Sequence, residues 1–155
     1  MIDRSAANGC PLLLDWTGAR YFLDGIVHID YIPTMEWGVE DTDEFEAWWE
    51  TLSEAEQESV AASVGLIEKW GPGLPFPYSP GVNMSRHGHM RELRIQHAGR
   101  PYRVLYAFDP RRLAILLLGG DKTGSERWYE ENVHKADDLY DHHIEILRKE
   151  GLIDG

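Results

Sequence analysis

One cysteine, Cys10, in 155 residues excludes an internal disulfide framework and any all-cysteine metal cluster. It reads as a free thiol in a cytoplasmic protein. Long apolar runs are missing too. Pro11-Leu12-Leu13-Leu14 is broken at once by Asp15 and has no basic leader, so neither a membrane span nor a signal peptide is expected. There are no internal repeats and no low-complexity tract. Positive charge is scarce: 15 Lys and Arg stand against 27 Asp and Glu, for a net charge of −12. A body that acidic repels nucleic acid at long range. The shortage is local, however. Glu36–Glu58 holds ten acids and no base, which reads as a solvated helix face. Met84–Lys122 holds eight bases (Arg86, Arg91, Arg94, Arg100, Arg103, Arg111, Arg112 and Lys122) against Glu92, Asp109 and Asp121, a net of +5. One basic face on an otherwise acidic molecule suits an anionic ligand at that face.

The basic window also reads as three strands. Met90–His97 alternates, Tyr102–Asp109 is rich in aromatic and β-branched residues, and Leu113–Leu118 is an apolar run of strand length. His-Ala-Gly-Arg and Asp-Pro-Arg-Arg between them supply turn chemistry, so two tight antiparallel hairpins are predicted. A turn centred on Ala98-Gly99 sets Arg94 across from Arg103 and Leu93 across from Val104. Period-two alternation then gives a core face of Leu93, Ile95, Val104, Tyr106, Phe108, Ile115 and Leu117. The opposite face carries Glu92, Arg94, Arg103, Leu105, Leu116 and Leu118, with Lys122 at its end. Two guanidinium groups facing each other repel, so an anion is expected between them, and removing either should cost little stability. That anion is either Glu92, with water, on an ordinary solvated face, or a bound phosphodiester held by forked arginine donors and a lysine charge.

Residues 1–34 lack sustained periodicity, with isolated apolar patches such as Gly25–Ile29, and are read as an N-terminal extension preceding a domain over 35–150. Within that domain Glu36–Val39 is a candidate first strand. Thr42 or Asp43 caps a helix bearing Phe45, Trp48, Trp49 and Leu52, tryptophans better read as core than as a base-stacking platform. Ser53 and Glu56 form a capping box for a second helix that buries Val60, Ala61, Val64 and Ile67, and Gly71-Pro72-Gly73 stops it. Leu74–Val82, with Pro75, Pro77 and Pro80, is an irregular connector. Thr123 and Glu126 make a further capping box for a long C-terminal helix with a stripe of Tyr129, Val133, Ala136, Tyr140, Ile144 and Leu147, ending at Lys149-Glu150-Gly151. The order β-α-α-β-β-β-α gives an α+β fold, a small antiparallel sheet covered by a helical hairpin.

These residues carry a resemblance. A helical hairpin ending in Gly-Pro-Gly, a strand reading Arg91-Glu92-Leu93-Arg94, a hairpin into Tyr102-Arg103-Val104-Leu105-Tyr106, an apolar strand and Lys122-Thr123 before a helix resemble the RelE/ParE toxins, most of all the HigB-like, phage-related branch, over Met35 to Leu147. The resemblance implies a microbial-RNase-like fold and a cytoplasmic toxin of a type II toxin–antitoxin module, a ribosome-dependent mRNA endoribonuclease needing neither metal nor cofactor. It also implies a cognate antitoxin, usually of helix-turn-helix type. Arg94, Arg103 and Lys122 match the family's catalytic positions. Where relatives have an aromatic and a pair of lysines, this chain has Gly119, Gly120, Asp121 and Lys122. ParE-type relatives act on DNA gyrase, so the alternative is a binding module of the same fold, either a gyrase inhibitor or a degenerate toxin that only binds its antitoxin.

Metal-free RNA cleavage needs a base for the 2′-hydroxyl, charge on the phosphorane and an acid for the 5′-oxygen. Lys122 beside two arginines is the candidate base. His87, His89, Tyr129 and Arg86 are candidate acids, and Arg86, Arg91, His87 and His89 are candidate RNA-phosphate contacts. Both histidines sit in a Gly-containing loop and also read as plain surface. His134, Asp138 and His142 share a helix face at metal-ligand spacing, but no fourth ligand is indicated, and a solvated face explains them.

Overall fold

The computed structural model describes residues 36–155 and two short strands ahead of them, β1 (Leu12–Leu14) and β2 (Arg20–Phe22), which pair antiparallel. The chain divides into two units, Met1–Met35 and Glu36–Gly155. Cys10, the Gly25–Ile29 patch and the expectation of an N-terminal extension fall outside the described residues.

The second unit opens with β3 (Val39–Asp41), whose last residue runs straight into a helix start. Thr42 has extended dihedrals and its Oγ1 accepts from the Phe45 amide at 3.2 Å, capping α1 (Asp43–Glu50). The Ser53–Glu56 capping box forms as predicted and opens α2 (Glu54–Trp70). Gly71, at φ 54°, stops α2 in a 3₁₀ turn. Val60 and Ile67 are buried as expected, whereas Ala61 faces solvent.

The sheet follows as β4 (Arg91–His97), β5 (Arg100–Phe108) and β6 (Ala114–Asp121), then α3 (Trp128–Lys149). The strand order is β3-β6-β5-β4. β4, β5 and β6 are an antiparallel meander, but β3 pairs with β6 in parallel, so the sheet is mixed rather than purely antiparallel. The chain returns to β3 only after the helical hairpin and the meander, and that crossover sets the direction of the edge pair.

Both faces of the sheet are covered. One packs against α1 and α2 through Phe45, Val60, Ile67, Leu93, Ile95, Val104, Tyr106 and Leu116. The other packs against α3 through Leu105, Ala107, Ile115, Leu117, Trp128, Val133, Ala136 and Tyr140. Ile115 and Leu117 were expected with the first group and Leu116 with the second. A register shift between Leu105 and Tyr106, where Leu105 opposes Leu118 but Tyr106 opposes Leu116, inverts inside and outside over 115–117 of β6, while Leu118 keeps the expected face beside Leu105. A continuous apolar run gives no alternation to betray such a shift.

α3 has no capping box. The Thr123 amide donates to Asp121 Oδ1 at 2.8 Å, so Thr123 closes a turn instead, and the helix starts at Trp128. Trp128 joins Val133, Ala136, Tyr140 and Leu147 in the buried stripe, while Tyr129 and Ile144 are half-buried. No helix among the described residues is long and apolar enough to cross a membrane.

Candidate functional site

The site begins at a two-residue turn. Ala98 (φ 48°) and Gly99 (φ 77°) are both left-handed, as a type I′ hairpin turn requires. That turn sets the register, pairing Arg94 with Arg103 and Leu93 with Val104 as the sequence predicts. Position 98 takes the conformation despite its Cβ, so the turn is stricter than its single glycine suggests.

Between the two arginines lies Glu92, 3% exposed. Its Oε1 accepts from Arg94 Nε at 2.9 Å, and its Oε2 is 3.9 Å from Arg103 Nε. Arg103 is itself 9% exposed, and its Nη1 donates to the Tyr102 carbonyl at 2.9 Å. Glu92 Oε2 and Arg103 Nε are buried without a hydrogen-bond partner among the described residues. Glu92 is the internal counter-ion, as in the first of the two readings, but the face is largely dry and closed by α3 rather than solvated. Arg94 is the accessible member, with 37% of its side chain exposed. Holding it by Nε leaves both η nitrogens to meet an anion.

α3 and the end of β6 complete the group. The Tyr129 hydroxyl faces Glu92 and Arg103; burial first, and then the Glu92 carboxylate, raises its pKa against the opposing pull of Arg103. Lys122 Nζ lies 4.6 Å from the centroid of the Tyr129 ring. The structure thus brings Arg94, Arg103 and Lys122 around Glu92 and Tyr129, joined from β4, β5, the end of β6 and the first turn of α3.

Gly119 and Gly120 acquire a reason here. Gly120 opposes Arg103, and a Cβ on it would stand 2.7 Å from Trp128 Nε1. A Cβ on Gly119 would overlap the Trp48 ring on the other face. The strand end that delivers Lys122 is clamped between an indole from α1 and one from α3, and any side chain there would push one of them away.

The other candidate contacts lie apart from this group. Arg91 shares the α1–α2 face and its Nη1 donates to the Pro72 carbonyl at 2.8 Å. Arg86 is ion-paired to Asp138 (2.9 Å) and Asp141 (2.6 Å) on α3, contacts that raise its pKa further. His87 Nε2 is 2.8 Å from Asp141 Oδ1, and the His87 and His89 rings pack on Tyr140. Burial, then the neighbouring His87, lowers the pKa of His89. Arg100 pairs with Asp121 at 2.5 Å and Arg111 with Asp109 at 2.7 Å. The basic window is thus dispersed and mostly neutralised rather than gathered into one patch, by its own acids Glu92, Asp109 and Asp121 and by Glu40, Asp138 and Asp141 from outside it. Among the described residues no group of three or more His, Cys, Asp or Glu could hold a metal ion, and Asp138 is engaged by Arg86.

Phe76, which no motif singles out, lies beside the group. Arg94 Cζ is 5.6 Å from its ring centroid, and the residue is 72% exposed. The proline-rich connector places it there: the Arg94 amide donates to the Tyr78 carbonyl at 3.0 Å and the Glu92 amide to the Pro80 carbonyl at 3.1 Å. Prolines can accept on a strand edge although they cannot donate, so this segment covers the outer edge of β4. Docking of that kind is non-local and leaves no periodic signal.

The model of the family described as "Phage derived protein Gp49-like (DUF891)" matches residues 47–141. Two Mycobacterium tuberculosis relatives are named as toxins. HigB3 is 46% identical over 93 residues, which cover 59% of this chain and 80% of that protein. HigB2 is 39% identical over 106 residues, 67% of this chain but about half, 53%, of the length of HigB2. A chain in the crystal structure of the archaeal RelE–RelB complex from Pyrococcus horikoshii OT3 aligns over its whole length with 59% of this chain, at 14% identity and a TM-score of 0.44. With a family model that matches more than half of the chain and a HigB relative 46% identical over 80% of its own length, the chain belongs to the Gp49-like family and is HigB-like.

Proposed function

We propose that residues 35–150 are the toxin of a type II toxin–antitoxin module, a cytoplasmic endoribonuclease that cuts mRNA held by the ribosome. Residues 1–34 are then an extension that the activity does not need. The observation that carries this reading is the Arg94–Arg103 pair across the ladder, with one guanidinium fork open and the other buried beside Glu92. Arg94 binds the scissile phosphodiester through its η nitrogens, and Arg103 adds fixed positive charge behind it as the phosphorane forms. Glu92 positions Arg94 and keeps two like charges from driving each other out of the site. Lys122 takes the proton of the 2′-hydroxyl as general base. The oxygen attacks phosphorus, and the 2′,3′-cyclic phosphate forms as the bond to the 5′-oxygen breaks. Tyr129, kept protonated at neutral pH, supplies the proton that the 5′-oxygen needs.

The partners that follow are ribosome-bound mRNA and a cognate antitoxin of helix-turn-helix type. The HigB relatives are named as toxins, which supports an antitoxin partner. A second reading has its own support: Glu92 already satisfies part of both arginines, as it would in a binding module that inhibits gyrase or only engages its antitoxin. Pulse labelling after induction separates them. Arrest of translation within minutes, lost in R94A, supports the nuclease; arrest of DNA replication first points to gyrase; arrest of neither identifies the degenerate toxin.

A further inference from the structure

Phe76 sits in an unusual place for a large apolar residue. It is 72% exposed, in a connector pinned to the edge of β4, and it contacts the one arginine of the site that reaches solvent. A cation–π contact accounts for one side of the ring. Most of the ring's surface remains in water, where an aromatic side chain of this size contributes nothing to the core. The Arg94 guanidinium is held from two directions, by Glu92 at Nε and by the Phe76 ring, so an anion bound at its η nitrogens lies beside that ring. An anion flanked by a flat apolar surface matches a nucleotide, whose phosphate and base differ in the same way. Trp70 (53% exposed) and Tyr78 (50% exposed) place no ring over the site arginines among the described residues, and Tyr78 meets Arg94 through its backbone carbonyl.

From this we infer that Phe76 is a base-stacking residue: its ring receives the nucleobase next to the phosphate bound by Arg94, and sets the register of the RNA strand over Lys122 and Tyr129. This rests on the nuclease reading and adds to it a residue that positions substrate without taking part in proton transfer. Stacking on an aromatic ring is tolerant of base identity, because every base has a π face, so Phe76 governs affinity and alignment more than sequence choice.

The test is single-turnover cleavage of mRNA in stalled ribosomal complexes by the full chain and by F76A, F76L and F76W, using substrates with a normal or an abasic nucleotide at each position flanking the cut. Losing one stacked base costs about 1–3 kcal/mol, or roughly five- to 150-fold in rate. F76A and F76L are expected to fall by that amount with unchanged melting temperature, and F76W to retain the wild-type rate. At one flanking position, removal of the base should slow the wild type to the rate of F76A and leave F76A unaffected. Equal cutting by wild type and F76A, or an equal loss in F76W and F76A, overturns the stacking role while leaving the nuclease intact. Absence of cutting by the wild type overturns the nuclease reading and this inference with it.

Discussion

Arg103 gives up most of its hydration for a carboxylate 3.9 Å away and one backbone carbonyl. This changes what its removal should do. Viewed as one of two repelling surface charges, either arginine looks dispensable for stability. With Glu92 buried, the two differ. R94A removes the hydrogen bond at Glu92 Oε1 but opens that side of the carboxylate to water, and is expected to cost about 1.5 kcal/mol. R103A strips a buried carboxylate of a desolvated counter-charge and is expected to cost about 3 kcal/mol. R103A combined with E92Q should recover much of that loss in a urea unfolding series, because no buried charge is then left unpaired. Equal stabilities for R94A and R103A would contradict the internal counter-ion.

Asp109 is a second buried carboxylate, its side chain fully enclosed. Burial alone would raise its pKa, but His143 (3.0 Å), Arg111 and the Leu113 amide bring it below the usual carboxylate value. A depressed folded-state pKa gives stability that is complete above the unfolded value, near pH 4, and is lost as pH falls through the folded value. D109N is therefore expected to be less stable than wild type by about 2 kcal/mol at neutral pH. The gap should narrow as pH falls below the unfolded value and the wild-type carboxylate protonates. Urea midpoints followed across that range check it, and a gap that stays constant would contradict the linkage.

At the scale of elements, legibility follows the range of the interactions that decide them. The β4–β5 register was legible because a two-residue turn sets it, and the Ser53–Glu56 box because its partners are three residues apart. The side on which Leu116 lies was not, since the shift between Leu105 and Tyr106 hides in an apolar run that both layers bury. Nor was the parallel pairing of β3 with β6, which joins segments more than seventy residues apart. Thr123 showed a cap signature but faces a nearer acceptor, Asp121. Nothing near Gly119 and Gly120 in the sequence signals the indoles of Trp48 and Trp128 that the fold sets against them. Alanine at either should overpack its indole, costing about 1–3 kcal/mol. Combining G119A with W48F, or G120A with W128F, is expected to restore part of the melting temperature, and a strictly additive loss would mean the rings are not the cause.

For the whole molecule, charge decides how the site can work. The ten acids between Glu36 and Glu58 are nearly all exposed, as a solvated face should be, and the arginines of Met84–Lys122 largely meet acids of their own. With a net charge of −12, and a reach of about 8 Å for any single exposed charge at physiological salt, the molecule cannot gather RNA from a distance. On the proposed nuclease reading, Arg94 acts only on a backbone delivered to it. If residues 1–34 are an extension, a protein beginning at Met35 should keep both its melting temperature and its effect on growth. Aggregation or a large fall in melting temperature would place that segment in the core.

The most direct measurement compares cleavage of one transcript, free and in a stalled ribosomal complex, by the purified protein at physiological salt. Efficient cutting in the ribosomal complex only, abolished by R94A and by R103A, is the predicted result. Efficient cutting of the free transcript would contradict ribosome dependence, and no cutting in either setting would contradict the nuclease itself.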